Sequence, residues 1–305
     1  MSRGAYLMNL GRVPYREAWD LQRSVAAAVS QGAVPDTVLL LEHPPVITLG
    51  RRAEEGELHV PEGADVEIVE TDRGGKSTYH GPGQLVCYPI LDLTRYGQDV
   101  KRYCRDLEEA LIRTLGAVGV EATRIEGLTG IWVERSAASG VPLASVGRGD
   151  SATGTAPRLE RGQRRERPAE PGFARREPAA ASGGGPRKIA SIGVHISKWV
   201  TTHGYALNVD LDTAPFTQWI TACGLADASF TTIADVLGRP VTIDELRPHA
   251  AAALEEVFGL TFSELPADEG HGLWPQPLHE KLHGKPTGAA PAGVAQGVEQ
   301  VVAGR

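Results

Sequence analysis

Cysteine is nearly absent from this 305-residue chain, and the three present, Cys87, Cys104 and Cys223, stand far apart with no CxxC pair and no neighbouring histidine cluster. That spacing excludes a disulfide framework and a structural zinc site, so any cysteine with a task acts as a thiol. No HxH spacing occurs, and no metal site is expected. No run of about eighteen apolar residues occurs, and the opening MSRGAYLMNLGRVPYREAW lacks the apolar core of a signal peptide. Membrane insertion and secretion are therefore not indicated, which makes the cytoplasm the expected compartment. Lysine is also scarce: of 31 basic residues, only Lys76, Lys101, Lys188, Lys198, Lys281 and Lys285 are lysine. Arginine does not shuttle protons and lysine can, so this shortage narrows the candidates for proton transfer. The formal net charge of −7 gives no global attraction to nucleic acid or anionic lipid.

One stretch that is present raises a question of its own. RGGKSTYHGPGQ, Arg73 to Gln84, contains the Gly-Lys-Ser that closes a phosphate-binding loop. Such a loop needs a second glycine five residues upstream, where this chain has Glu70, and a helix after it, which Pro82 and Gly83 interrupt. A nucleotide is therefore not expected, and the glycines need another reason.

The remaining composition, 41% hydrophobic and 23% charged, is that of a globular protein. Two segments depart from it. From Ser136 to Arg187 the apolar periodicity vanishes into an Arg/Gly/Pro/Ala-rich text, and the chain after about Pro266 reads similarly. Neither offers enough apolar surface to offset the entropy of ordering, so the first is expected to be a disordered insertion and the second, 266–305, a disordered tail. Arg161, Arg164, Arg165 and Arg167 are diluted by Glu160, Glu166 and Glu170, the pattern of a solvated linker. What remains of 1–265 is roughly 210 residues, a comfortable single domain. The insertion falls between two strand-like segments, GIWVE and KIASIGVHI. A long loop there costs little, because closure entropy grows only logarithmically with length.

Within the domain, Ala18, Leu21, Val25 and Val29 repeat at helical spacing, followed by strand-like TVLLLEH, VITLG and VEIVE. QLVCYPILDL reads as a buried strand and YALNVDL as another. Val100, Tyr103, Cys104, Leu107, Leu111, Leu115 and Val118 mark one face of a second helix, which puts Cys104 in the core. Thr242 with Glu245 is a capping box opening a last helix through Phe258. The sum is an α/β (α+β) domain around a β-rich sheet.

Among the thiols, Cys87 alternates within an apolar strand, whereas Cys223 stands before Gly224 at the edge of a loop, where it can be reached. A nucleophilic thiol needs a nearby cation to favour the thiolate. Lys188, at the head of an apolar strand, is the best-placed lysine, and His80 and His203, each beside a glycine, are competing bases. Spacing alone does not bring any of these together.

RGGKSTYHGPGQLVCYPILDL resembles the signature of the octanoyltransferases of lipoate biosynthesis. LEHPPVITLGRR, KIASIGVHISKWVTTHGYALNVDLD and ACGLAD are similar to further blocks of that family, in the same order, and together they span the domain without the insertion or tail. The resemblance implies a mixed β-sheet flanked by helices, the catalytic fold of biotin and lipoate protein ligases. It implies Cys223 as the nucleophile and Lys188 as the catalytic lysine. It assigns acyl binding to Arg73, Gly74, Gly75, Lys76, Ser77, Thr78, Tyr79 and His80, to Ser191, Ile192 and Gly193, and to Gly204, Tyr205 and Ala206. On this basis the glycines let backbone approach an acyl chain and its carbonyl. No cofactor is implied, because a thioester donor carries its own activation. The implied partners are octanoyl-acyl carrier protein as donor and, as acceptors, the lipoyl domains of 2-oxoacid dehydrogenase complexes and the glycine cleavage H protein. Both are commonly acidic, so docking is expected on a local basic surface near Arg51, Arg52 and Arg73. Three alternatives stay open: an ATP-dependent lipoate or biotin ligase on the same fold, an inactive binding scaffold, and a cysteine hydrolase.

Overall fold

The computed structural model describes residues 2–54, 56–134, 185–221 and 229–265. Residues 136–184 of the expected insertion, the tail and Cys223 lie outside them. A strand β1 (Arg3–Arg12) leads into α1 (Tyr15–Ser30), then β2 (Thr37–Glu42), β3 (Val46–Leu49), β4 (Glu67–Glu70), β5 (Ser77–His80) and β6 (Gln84–Ile90). Helix α2 (Val100–Ala117) precedes β7 (Ile131–Val133), and across the insertion come β8 (Arg187–Ser197) and β9 (Val200–Asn208). The chain continues through α3 (Ala214–Gln218), β10 (Ser229–Phe230), α4 (Ile233–Leu237), α5 (Ile243–Phe258) and β11 (Leu260–Leu265). Composition assigns Arg187 to the insertion, yet it is the first residue of β8.

The large sheet runs β10-β8-β9-β6-β2-β1-β11, with β7 also paired to β8. It is mixed: β1 pairs in parallel with both β2 and β11, and β6 pairs antiparallel with β2 and β9. Helices cover both faces. One core packs α2 and α5 under Leu85, Cys87, Tyr205 and Leu207, and the other packs α1 under Val86, Tyr88, Ile90 and Ala206. Burial on both sides explains why β6 and β9 read as unbroken buried runs instead of alternating. A small sheet β4-β3-β5 stands beside the large one.

Local chemistry sets the helix starts. Asp99 accepts from Arg102 N at the head of α2, and Thr242 accepts from Glu245 N at the head of α5. Only half of the expected capping box forms, because the Glu245 carboxylate turns to Arg239 instead. Among the described residues no helix is long and apolar enough to cross a membrane.

Candidate active site

A cavity of about 410 Å³ runs along β8 and β9 beneath the segment leading into β5. Arg73, Gly74, Gly75, Lys76, Ser77, Thr78 and His80 line it from one side. Ser191, Ile192 and Gly193 of β8 and Gly204, Tyr205 and Ala206 of β9 line it from the sheet, and Lys188 stands at the start of β8. Tyr79 does not line it. Alternation along β5 turns its ring to the opposite face, edge-on to Phe216 and Trp219. Cys223 falls outside the described residues, so no distance to it enters the geometry.

A break in the strand ladder aims Lys188. In the β7–β8 pairing, Ile131 opposes Ala190 but Trp132 opposes Lys188, so the register shifts by one residue. Ile189 and Ala190 then both enter the core under α2, which successive residues of a regular strand cannot do. The bulge leaves Lys188 on the cavity wall, only 4% exposed.

The glycine-rich segment also closes on the backbone around it. Gly74 N–H donates to Val194 O at 2.9 Å, Arg51 N–H to Arg73 O and Arg52 N–H to Gly75 O, each at 3.0 Å. A Cβ at Gly193 would stand 2.9 Å from Gly74 O. Here glycine lets backbone close on backbone, and the Gly74 amide is already committed within the protein. Arg73 is buried as well. Its guanidinium donates to Thr48 O, to Thr48 Oγ1 and to Gly74 O, pinning the segment to β3 instead of forming a basic surface. Of the three arginines expected at a docking surface, Arg51 and Arg52 are the exposed ones.

Opposite Lys188 the cavity ends in buried polar side chains. Val194 pairs with His203, so His203 and Lys188 sit six positions apart along β8, about 15–20 Å at about 3.3 Å per residue. His203 Nε2–H donates to Asp72 Oδ1 at 2.7 Å, and Tyr15 Oη lies 3.4 Å from His203 Nδ1. His80 Nδ1–H donates to Gln84 Oε1 at 2.7 Å, and Gln84 Nε2 donates to Asn208 Oδ1 at 3.0 Å. His43 Nδ1–H donates to Val13 O, so its Nε2 accepts from Tyr88 Oη at 2.7 Å, as a neutral imidazole must. Burial holds His43 down at about 4 and pushes His80 and His203 below the usual imidazole range, while the His203 contact holds Asp72 below the usual carboxylate range. His80 and His203 are therefore neutral groups at the far end, out of reach of Lys188. His203 also has φ +57, a left-handed backbone that few side chains adopt outside glycine.

The two described thiols differ from each other. Cys87 is wholly buried, with its thiol pushed up to about 12 by desolvation, which fits an inert packing residue. Cys104, expected in the core, is only partly buried and lines the cavity from α2. Burial raises its thiol above the ordinary range, so it presents a protonated sulfur to the wall. Tyr15, His43, Asp72 and Trp132 do not stand out in the sequence. A histidine closing the apolar run LLLEH was the one visible signal among them. Among the described residues no group of three or more His, Cys, Asp or Glu could hold a metal ion.

The lipoyl protein ligase A/B catalytic domain matches residues 14–255. An octanoyltransferase of Streptomyces coelicolor is 46% identical over 81% of this chain and 89% of its own length, and one of Mycobacterium tuberculosis is 42% identical over 80% and 83%. Among solved structures, the bipartite lipoate protein ligase of Thermoplasma acidophilum superposes with a TM-score of 0.60 at 14% identity, covering 92% of each chain. A lipoate-protein ligase A bound with ATP gives 0.59, also at 14%, covering 92% of this chain and 94% of its own. At that identity the solved structures establish the fold, a mixed sheet flanked by helices, and the near relatives establish the kinship. The chain belongs to the lipoyl protein ligase A/B catalytic domain family and, within it, to the octanoyltransferases, which are acyltransferases.

Proposed function

We propose that this chain moves an octanoyl group from the phosphopantetheine thiol of acyl carrier protein to a lysine amine of a lipoyl domain, by way of a thioester on Cys223. The reading rests on one observation above others: Lys188 is drawn out of the strand ladder onto the wall of a cavity lined by the segments that the family resemblance assigns to acyl binding. Near-full-length identity to octanoyltransferases supports the same acyl group.

A soft thiolate suits a thioester carbonyl. Cys223 Sγ attacks the octanoyl carbonyl, the new C–S bond forms, and the bond to the carrier thiol breaks. Lys188, as ammonium, stabilises the attacking thiolate and gives its proton to the departing thiol. The acceptor amine then attacks the acyl-enzyme. A C–N bond forms, the Cys223 thiolate leaves, and the amine proton passes to the now neutral Lys188. One group thus serves as acid and then as base. The acceptors proposed are lipoyl domains of 2-oxoacid dehydrogenase complexes and the glycine cleavage H protein, met at the exposed Arg51 and Arg52 in the cytoplasm. Nothing in these steps calls on ATP.

Intact-protein mass spectrometry after mixing with octanoyl-acyl carrier protein tests the scheme. An octanoyl adduct of about 126 Da that a lipoyl domain removes, and that Cys223→Ala lacks, is expected. Transfer to the acceptor by Cys223→Ala at the native rate would overturn the covalent route, and transfer dependent on ATP and free octanoate would indicate a ligase.

A further inference from the structure

The chain after β3 is tied down twice by backbone. At the first tie, Gly50 N–H donates to Lys76 O at 3.3 Å and Arg52 N–H to Gly75 O at 3.0 Å, which fixes it to the glycine-rich segment. At the second, Thr221 N–H donates to Glu57 O at 2.9 Å, His59 N–H donates to Trp219 O at 2.8 Å, and Leu58 faces Ile220 in an antiparallel bridge. Thr221 stands two residues before Cys223 in the sequence. One side chain at the second tie reaches back to the first. Glu57, 7% exposed, accepts from Ser77 Oγ–H at 2.7 Å through Oε2, and its Oε1 lies 2.9 Å from Lys76 Nζ. Lys76 also reaches Glu54 at 2.8 Å, but that carboxylate is 71% exposed, where solvent screens the attraction. Alternation puts the Ser77 hydroxyl on the face of β5 that carries Tyr79, so Glu57 grips the strand from behind, while Thr78 and His80 face the cavity. Burial opposes ionisation of Glu57, yet the bonds from Ser77 and Lys76 outweigh it and hold the carboxyl below its usual range.

We propose that Glu57 is a positioning residue for octanoyl transfer, coupling the Lys76–Ser77 part of the cavity wall to the Trp219–Thr221 backbone. Its carboxylate holds the wall and its carbonyl holds the backbone, so the spacing between the two is set within one residue. The inference rests on the thioester route through Cys223 given above. That route asks the acyl carbonyl and the thiol to meet in one geometry, and a misplacement of about 1 Å caused by a remote change costs about 10²-fold. Without the Glu57 carboxylate, the wall keeps its backbone bonds to Gly50 and Arg52, and the Trp219–Thr221 backbone keeps its bonds to Glu57 and His59. What is lost is their alignment with each other. Such a link acts on rate more than on affinity, because the acyl group still finds its cavity.

The test is the single-turnover rate of acyl-enzyme formation, followed by quenched-flow mass spectrometry over a range of octanoyl-acyl carrier protein concentrations. The proteins are wild type, Glu57→Ala, Glu57→Gln, Ser77→Ala, the double variant Glu57→Ala/Ser77→Ala and Cys223→Ala, with thermal unfolding of each. Glu57→Ala is expected to lower the saturating rate about tenfold and to move the half-saturating donor concentration by less than about twofold. Glu57→Gln, which keeps an acceptor for Ser77 and loses the charge facing Lys76, is expected to lose about threefold and serves alone should the alanine variant not fold. The double variant is expected to be no slower than Glu57→Ala, since both changes break one link. A native saturating rate in each Glu57 variant that folds would reduce Glu57 to packing or, with a raised half-saturating concentration, confine it to the acyl wall; either overturns the coupling. Losses that add in the double variant would do the same. Native transfer to the acceptor by Cys223→Ala would instead remove the thioester reading, an outcome the Glu57 variants cannot produce, and the inference with it.

Discussion

The two ends of the cavity are held by opposite means. At the Lys188 end a single hairpin, β7 with β8, supplies the bulge, with Gly130 and the Trp132 ring beside the lysine. At the His203 end the parts come from α1, β2, the Asp72 turn, β5, β6 and β9, and they are joined by hydrogen bonds between residues up to 188 positions apart. On the proposed function, the proton-carrying lysine thus sits on local geometry, and the closed floor sits on the tertiary fold. A local defect at the first end should cost rate, and a defect at the second should cost stability.

Four experiments would break or sharpen that contrast. Lys188→Ala should lower octanoyl transfer by about 10²–10⁴-fold, the usual worth of a positioned acid–base group, with circular dichroism unchanged. Gly204→Ala acts between the ends. Its Cβ would overlap the Cys87 carbonyl oxygen on β6, and urea unfolding should show a loss of about 3 kcal/mol. The third bears on His43, whose folded-state value near 4 lies below the ordinary 6.5. Below pH 6.5 the unfolded chain binds the proton more readily, so the stability from neutral His43 is present above that pH and is lost as pH falls toward 4. Between pH 7 and pH 5 this amounts to about 2 kcal/mol, and His43→Gln should flatten that part of the urea-unfolding profile. Smallest is Thr242→Ala, which removes the α5 cap remote from both ends. A loss of about 1 kcal/mol with an unaltered transfer rate is expected.

What could be read without coordinates follows the same division. Helices α1, α2 and α5 and strands β2, β6 and β8 announce themselves through spacing that only neighbours in sequence decide. Strand β5 hides inside the glycine-rich motif, because a strand of four residues carries almost no periodic signal. Cys104 obeys the helical repeat yet meets the cavity, since periodicity finds a face without telling whether protein or empty space lies against it. The partners Asp72 and His203 stand 131 residues apart, and nothing in either segment names the other. Lys188 was legible as a lysine at the head of an apolar strand, but its aim depends on a bulge that strict alternation would never propose.

The parallel pairing of β1 with β11 joins residues 3–8 to 260–265. On a ribosome this means that the first strand made waits for the last one of the domain, long after β2 has emerged to cover its other side. During that interval β1 presents a free row of backbone donors and acceptors, the kind of edge on which nascent chains associate. Closing so wide a sequence gap is also slow. A chain stopped before Leu260 would keep the residues proposed above for catalysis, yet its large sheet would end on β1 instead of on β11.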